Sequence, residues 1–436
     1  MAIIPQISLF RWKDDIEKLG DLERLKLVME HLPDEALMRK LEKERGKGRD
    51  DYPVRCMWNS ILAGVVFQHP TVASLIRELN RNVQLCYLCG FEHIDKVPDA
   101  HNYSRFMKLL LRHQPFLDQM FQELVEQLRV VLPQFGQRLA IDGKYIHSLA
   151  NRKSKDSRPD GRRETDADLG MKKYKGVHKD GTPWEKVVKC FGFKLHLIVD
   201  ATYELPVSYS VSKASAADIT QGHNLIDKLS WEQPELIEAC DYLSADRGYD
   251  DRKLIDKLME PEYRIKPVID TRQMWKGEKE RMLPGYQDVY YNEQGEVFCY
   301  DGKDRQKRLM SCDGYETSRK CLRKKCPVNA YGIDCPSYGH CPNQGGIRIP
   351  LKTNRRIFTA VDRSSYKWQR EYDQRTAVER VNSRLDVSFG FEQHTIRGKK
   401  KMTMRCSLAL IIMLTMALGR ARQNKEKLIR SLVRSA

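Results

Sequence analysis

Two aspartates, far apart along the chain, stand where a carboxylate could hold a divalent metal ion. Asp142 follows the short apolar run 139–141, and Asp246 follows the run 242–245. A carboxylate just past a buried strand lies where α/β sheets bind ligands, although such an Asp can also serve only to cap the next turn. Carboxylate oxygens suit Mg²⁺, and two Mg²⁺ ions about 4 Å apart can support phosphodiester cleavage.

A third carboxylate belongs to the stretch 372–379, which contains no Gly or Pro and is predicted to be helical. At about 100° per residue, Tyr372, Arg375 and Glu379 share one face of that helix. The face offers an aromatic hydroxyl, a planar cation that can bind a phosphate through two N–H groups, and a carboxylate. Together with the two aspartates, this face predicts a site that could hold a divalent metal ion.

These motifs resemble those of the insertion-sequence DDE transposases, in the branch with a Tyr-x2-Arg-x3-Glu-x6-Lys signature. The resemblance covers about residues 50–420. It is carried by Ile141-Asp142-Gly143-Lys144, by Ala245-Asp246-Arg247-Gly248-Tyr249, and by the signature spacing of Tyr372, Arg375 and Glu379. It implies a catalytic triad of Asp142, Asp246 and Glu379 that binds two Mg²⁺ or Mn²⁺ ions, with Asp142 bridging both.

One position departs from the signature, because Asp386 occupies the place where the signature has a Lys. On an unbroken helix this places a negative charge where the family has a positive charge facing DNA. Either the helix is broken there, or Arg384 or the basic cluster 397–401 takes over the contact.

The resemblance implies a transposase that binds the ends of its DNA element and performs cleavage and strand transfer by a cut-and-paste route. Its partners would be double-stranded DNA, at the element ends and the target, and a second copy of the chain in a homodimeric synaptic complex. The alternatives are an RNase H-like nuclease that joins nothing and a catalytically silent DNA-binding protein. The residues expected beside DNA are Tyr372, Arg375, Arg384, Arg397 and Lys399.

The composition agrees with extended contact to phosphates. The 436 residues carry a net charge of +17, and the isoelectric point is about 9.2. Lys and Arg are spread along the chain, which favours nucleic-acid binding over a single basic tail. The mean hydropathy of −0.60, the charged N-terminus and a longest apolar run of only 407–418 predict a soluble cytoplasmic, nucleoid-associated protein that binds no membrane, with 407–418 as a buried helix.

The N-terminal part is predicted to be a charged leader over 1–53, with a linker near 45–51, followed by a helical domain over 54–132. Apolar residues recur there at helical spacing, and Thr71 or Ser74 is a candidate helix cap. We interpret this domain as a helix-turn-helix-like DNA reader, the alternative being a helical domain that only packs. Basic residues between its apolar stripes are Arg77, Arg81, Arg105, Lys108 and Arg112.

The predicted fold class is α/β, with an RNase H-like mixed sheet over 136–270 that is completed by 353–420. The order after the first strand is a hairpin of strands 190–200 and 206–211, a helix over 218–229, the Asp246 strand, a helix over 251–259 and a strand over 263–269. Polar residues 151–185 are predicted to form a flexible loop. Residues 421–436 are predicted to be a basic tail.

A Cys-rich insertion over 271–352 is predicted, because the distance from Asp246 to Glu379 is too long for one connection. It is rich in Gly, Pro and Lys, and reduced thiols there suit a structural Zn²⁺ that would hold together a segment too poor in apolar residues to fold alone. Incidental thiols are the alternative, and Cys299 or Cys312 could replace any member of the set. The candidate zinc ligands are Cys321, Cys326, Cys335 and Cys341.

Overall fold

Seven α-helices precede the first strand in the part of the chain that the computed structural model describes. That part comprises residues 20–46, 52–150, 164–178, 180–277, 279–303 and 305–432. The helices are α1 (Glu23–His31), α2 (Glu35–Arg45), α3 (Val54–Val66), α4 (Val72–Arg81), α5 (Val83–Leu88), α6 (Ala100–Arg112) and α7 (Gln114–Val131).

The start of α4 confirms the predicted cap. Thr71 Oγ1 accepts the Ser74 N–H at 3.1 Å, and Ser74 Oγ accepts the Thr71 N–H at 3.3 Å, so two otherwise unpaired amides are satisfied reciprocally. The segment predicted as a leader also contributes helices, since Leu25 and Leu41 are fully buried in the same apolar core as the rest of the molecule. Most of the predicted linker, 47–51, lies outside the described residues.

A six-stranded mixed sheet follows these helices. Its strands are β1 (Arg138–His147), β2 (Asp168–Val177), β3 (Pro183–Asp200), β4 (Leu205–Lys213), β5 (Tyr242–Ala245) and β6 (Lys266–Ile269). In the order β2-β3-β1-β5-β6, with β4 also paired to β3, the strands β1, β5 and β6 are parallel and β3 is antiparallel to β1, β2 and β4, which is RNase H-like. The helices α8 (Asp218–Glu232), α9 (Pro234–Ala239) and α10 (Arg252–Leu258) connect the later strands. The predicted α/β fold is confirmed.

The hairpin of β2 and β3 corrects the prediction of a loop over 151–185. Residues 168–177 pair with 183–192 in regular antiparallel register, so this part of the predicted loop is wrong. The many Lys residues of these strands made the segment look like a solvated loop, but Lys can lie in a strand because its long stem packs along the sheet while its ammonium group stays in water. Residues 151–163 lie outside the described residues.

The insertion folds as two small antiparallel sheets. One contains β7 (Glu280–Met282), β8 (Val289–Asn292), β9 (Val297–Tyr300) and β10 (Lys307–Leu309). The other contains β11 (Ser311–Glu316), β12 (Cys321–Lys325) and β13 (Ile347–Pro350), with the short α11 (Pro327–Tyr331) between β12 and β13. Val289, Val297, Ile349 and their neighbours form a separate apolar core, so the expectation that the insertion lacks one is wrong.

Three helices complete the molecule: α12 (Tyr366–Asp373), α13 (Thr376–Phe389) and α14 (Lys399–Arg422). By length and composition α14 could cross a membrane, but 89% of its most apolar window is buried inside the protein, where it packs on α7 and β4. The predicted buried helix is thereby confirmed. Beyond it, Ile429 and Leu432 of the predicted tail are also buried in the main core.

Candidate active site

The parallel pairing of β1 and β5 brings Asp142 and Asp246 side by side. Ile141 is opposite Ala245 in the register, and each aspartate is the next residue along its strand. Asp246 follows the end of β5 as predicted. Asp142 does not end its strand, since β1 continues to His147, because residues 143–147 pair with the long strand β3.

Asp246 caps the turn that follows β5. Its Oδ1 accepts the Gly248 N–H at 2.8 Å and so caps the short 3-10 turn Arg247–Tyr249. The capping role and a ligand role are compatible, because a carboxylate has four lone-pair positions and the cap occupies one.

The electrostatic state of Asp142 favours a bound cation. Burial, followed by the neighbouring charge of Asp246, raises the pKa of its carboxyl to about 6, while Lys172 and the Gly143 amide act in the opposite direction. Two carboxylates held this close, one of them buried, repel each other unless a positive charge stands between them. The pair therefore fits a divalent cation.

Glu379 lies in the first turn of α13, but its carboxylate is engaged by Arg375. Arg375 Nη1 donates to Glu379 Oε1 at 2.6 Å, and the Glu379 side chain is half exposed. Among the described residues, no group of three or more His, Cys, Asp or Glu side chains is placed to hold a metal ion. Glu379 would join the two aspartates only after parting from Arg375.

Arg375 interacts electrostatically with both Glu379 and Asp142. Burial disfavours its charge, yet the hydrogen bond to Glu379 and the nearby charges of Glu379, Tyr372 and Asp142 raise the pKa of its guanidinium. Its Nε is buried and has no hydrogen-bond partner among the described residues. An unpaired buried donor of a cation is costly, so this N–H is available to an anionic ligand.

The predicted helix over 372–379 is interrupted. α12 ends at Asp373 and α13 begins at Thr376, with Gln374 and Arg375 in right-handed helical conformation between them. The Tyr372 ring stacks on Trp368 with 4.8 Å between ring centroids, and the Arg375 guanidinium lies 5.7 Å from the Tyr372 centroid. The signature residues are thus neighbours, although they do not lie on one continuous helix.

Two acidic residues at the same edge of the sheet were missed. Asp270 follows β6, and since Ala245 is opposite Ile269, Asp270 stands beside Asp246. The run 265–269 followed by an acid is the same pattern that indicated Asp142 and Asp246, so Asp270 could have been predicted from the sequence.

Asp218, in the first turn of α8, contributes to the raised pKa of Asp142 and binds Lys194 Nζ at 2.9 Å. No local signal indicated Asp218.

Tyr249 was also missed as a member of this site. Its side chain is almost fully buried, and its hydroxyl has no hydrogen-bond partner among the described residues. Burial and then the charges of Asp142, Asp218 and Asp246 raise its pKa well above the ordinary value. The hydroxyl is therefore a neutral donor close to the carboxylates.

Comparison with known proteins identifies the family. A family model described as "Transposase DDE domain" matches residues 133–415, well over half of the chain, and one described as "Transposase domain (DUF772)" matches residues 11–109. The chain belongs to the DDE transposase family. The predicted insertion-sequence DDE transposase is confirmed, an enzyme of nuclease or transesterase type in a family that generally uses divalent metal ions.

Among solved structures, the transposase is similar to the one titled "Cryo-EM structure of piggyBac transposase synaptic complex with hairpin DNA". The sequence identity is 12%, the TM-score is 0.40, and the match covers 95% of this chain and 79% of that chain. None of the curated proteins matches this transposase.

Asp386, which occupies the position of the signature Lys, forms an ion pair with a lysine of β1. α13 continues unbroken through Asp386 to Phe389, so the helix is not broken there. Lys144 Nζ donates to Asp386 Oδ2 at 2.6 Å, with both side chains largely buried. Lys144 is two residues from Asp142 and therefore on the same face of the strand. A cation thus stands beside this position of α13, supplied by the strand instead of the helix.

Of the other residues predicted to contact DNA, Arg384 faces away from the site, whereas Arg397 and Lys399 are exposed. Arg384 is five residues from Glu379, about 140° around the helix, and its guanidinium binds the Glu204 carbonyl and carboxylate, so it does not face the site. Lys399 and Arg397 are exposed near the start of α14. The Gly398 and Lys399 N–H groups donate to Glu164 at 2.6 Å and Asp166 at 2.9 Å. These acids balance positive charge at a helix N-terminus.

The structure separates the predicted zinc ligands. Cys326, Cys335 and Cys341 line one cavity of the insertion, together with Cys299. Cys321 is in β12 with its Sγ 4.0 Å from the Glu316 carboxylate, and it does not line that cavity. The sequence signal that distinguishes the three cavity cysteines from Cys321 is the proline that follows each of them.

Proposed function

We propose that the transposase binds the ends of its DNA element and cuts and rejoins DNA strands at the site formed by Asp142, Asp246 and Glu379. The observation that supports this most strongly is the juxtaposition of two carboxylates across the β1–β5 pair, with the guanidinium of Arg375 bound to Glu379 and within electrostatic range of Asp142. An acidic pair near a cation with an unpaired N–H fits a phosphodiester together with its metal ions.

The residues would divide the work as follows. Asp142 and Asp246 would hold divalent cations, Mg²⁺ or Mn²⁺, which neutralise charge on the attacking and leaving oxygens when bound. Arg375 would bind a DNA phosphate through its guanidinium edge, which includes the unpaired Nε. Glu379, released from Arg375 by that phosphate, would turn towards the aspartates. Tyr372 would pack beside the strand on the stacked Trp368.

No side chain acts as a covalent nucleophile in this proposal. Water attacks in the cleavage step, and a DNA 3′-hydroxyl attacks in the joining step. The Tyr249 hydroxyl, a neutral donor near the carboxylates, would orient one of their oxygens.

The test uses labelled duplexes that carry the DNA flanking the coding region, with Mg²⁺, Mn²⁺ or chelator. We expect metal-dependent nicking at the element end and, with target DNA added, a joined product. Asp142→Asn, Asp246→Asn and Glu379→Gln should each abolish both products while leaving end binding in a gel-shift assay nearly unchanged.

Asp373→Asn is the matched control, because this exposed carboxylate lies six residues before Glu379 and, among the residues that the structure describes, accepts only from Gln369. It should cleave at the wild-type rate. Nicking without any joined product would favour the nuclease alternative. End binding without metal-dependent nicking would favour the silent DNA-binding protein.

We further propose that the N-terminal helices read the element end, whereas the sheet and the basic start of α14 contact the backbone of DNA held by two copies of the chain. Support comes from exposure: Arg77 on α4 and Arg105 and Lys108 on α6 present their side chains to solvent. Arg81, in contrast, forms an ion pair with Glu78 at 2.6 Å.

A further inference from the structure

Four cysteines from different parts of the insertion line a single cavity. Cys299 comes from β9 of one small sheet, and Cys326 directly follows β12 of the other. Cys335 and Cys341 come from the segment 328–346 that leads back to β13. The cavity therefore lies where both sheets and this segment meet.

The segment 328–346 has little else to hold it in place. None of its residues is buried, so it contributes no apolar side chain to the core of the insertion. Its main anchor is the buried Asp301, which accepts the Ser337 N–H at 3.0 Å, the Ser337 hydroxyl at 3.0 Å and the Cys335 thiol at 2.8 Å. A connection of this length without buried apolar residues needs a further constraint to keep one conformation.

The local backbone places an N–H donor beside two of the thiols. The Asn343 N–H donates to Cys341 Sγ at 3.4 Å, and the Ser337 amide lies beside Cys335. In both cases the donor is two residues after the cysteine, because the intervening proline has no N–H. Burial and the hydrogen bond to Asp301 raise the pKa of the Cys335 thiol. The amides favour sulfur that is bound to a metal over a free thiol.

A buried cation adds to this preference. Arg308 lines the same cavity, and its side chain is 6% exposed, with the guanidinium 4.0 Å from Asp301. Positive charge beside a group of thiols offsets the excess negative charge that four thiolates and one divalent ion would leave.

We propose that Cys299, Cys326, Cys335 and Cys341 bind one structural Zn²⁺ ion that cross-links the two small sheets of the insertion. Four thiolates in a tetrahedron form a closed structural site, and binding releases the four thiol protons. The thiols border the cavity without meeting at one point in the described residues. Binding therefore requires them to turn inward about χ1, among the staggered rotamers.

The first test measures zinc in the full chain purified without chelator. The wild-type protein should contain about one zinc ion per chain, by the logic of a single tetrahedral site. Cys299→Ser and Cys335→Ser should lose it. Cys321→Ser is the matched control, since Cys321 is in the same insertion but outside the cavity, and it should keep the metal. Loss from Cys321→Ser with retention in Cys299→Ser would overturn the proposed ligand set.

A second measurement needs no variant and so does not depend on whether a variant folds. X-ray absorption at the zinc edge of the wild-type protein should show only sulfur neighbours, at about 2.3 Å. Three results would each overturn the proposal. They are the absence of zinc, the presence of nitrogen or oxygen among the nearest neighbours of the zinc, and a disulfide between any two of the four cysteines in mass spectrometry. None of these readouts involves DNA cleavage, so the outcome is independent of the proposed function.

Discussion

At the scale of single residues, Asp142 dominates the electrostatics of the site. Burial, followed by the charge of Asp246, raises the pKa of its carboxyl from the ordinary 3.8 to about 6. A carboxyl whose pKa is raised by folding contributes stability that is fully present below its pKa in the unfolded protein. This stability is lost as the pH rises through its pKa in the folded protein. Without a bound cation, Asp142 therefore destabilises the folded protein above about pH 6.

We predict that Asp142→Asn stabilises the chelated protein at pH 8 by about 3 kcal/mol, so that its thermal midpoint rises, and leaves the midpoint nearly unchanged at pH 4. Calorimetry at the two pH values measures the difference. Asp373→Asn, which removes an exposed carboxylate, is the control and should shift neither midpoint. Equal stabilisation by Asp142→Asn at both pH values would show that its carboxyl is not the titrating group.

At the scale of elements, the pairing of β1 with β3 depends on a close backbone approach at Gly192. A Cβ atom added to Gly192 would lie 2.1 Å from the Ile146 carbonyl oxygen and 2.7 Å from the Ser148 nitrogen, and neither backbone atom can move without separating the strands. We predict that Gly192→Ala destabilises the protein by on the order of 3 kcal/mol or more. Gly339→Ala, where nothing lies within 4 Å, should be nearly neutral. Chemical denaturation of both variants decides the point.

The ion pair between β1 and α13 yields a second prediction at this scale. If Lys144 serves as the cation that the signature places on the helix, Lys144→Gln should weaken DNA binding and lower the salt slope by about 0.9, the value for one phosphate contact. Asp386→Asn leaves the ammonium unneutralised and should strengthen binding. Fluorescence anisotropy over a range of salt concentrations measures both variants. A Lys144→Gln variant with wild-type affinity and salt slope would show that this ion pair stabilises the fold and does not contact DNA.

At the scale of the whole molecule, the N-terminal helices and the sheet share one apolar core. Buried residues of α1, α3 and α7 pack with α14 and β4 in the same cluster. A truncation between helices and sheet would expose that core, so the contribution of the helices to DNA recognition is better tested by surface substitutions in the full chain.

We predict that replacing Arg77, Arg105 and Lys108 together by Gln removes most of the preference for end DNA over random DNA. Three lost phosphate contacts would lower the salt slope by about 2.7, whereas lost base contacts would lower the preference without changing the slope. The matched control replaces three exposed cations of the α10 region, Arg252, Lys253 and Arg264, by Gln. Equal loss of preference in both variants would contradict recognition by the N-terminal helices. Competition binding measures the ratio of the affinity for end DNA to the affinity for random DNA.

The sequence by itself determined the family and the order of the core elements. The strands that lead to Asp246, the hairpin after residue 190 and the helices 218–229 and 251–259 were predicted within a few residues. Their apolar periodicity is local and survives in any correct fold. The types and spacing of Asp142, Asp246 and Glu379 were enough to indicate the transposase family, since metal-dependent phosphodiester chemistry requires carboxylates.

Only the tertiary structure decided which groups meet. The pairing of Lys144 with Asp386 spans 242 residues, and no local pattern encodes such a contact. Burial raised the pKa of Asp142. In the insertion, sequence spacing favoured Cys321, but the alternation of side chains across β12 places it away from the cavity that Cys299 lines. Spacing along a chain fixes distance only within one element, whereas a site is assembled from several elements packed together.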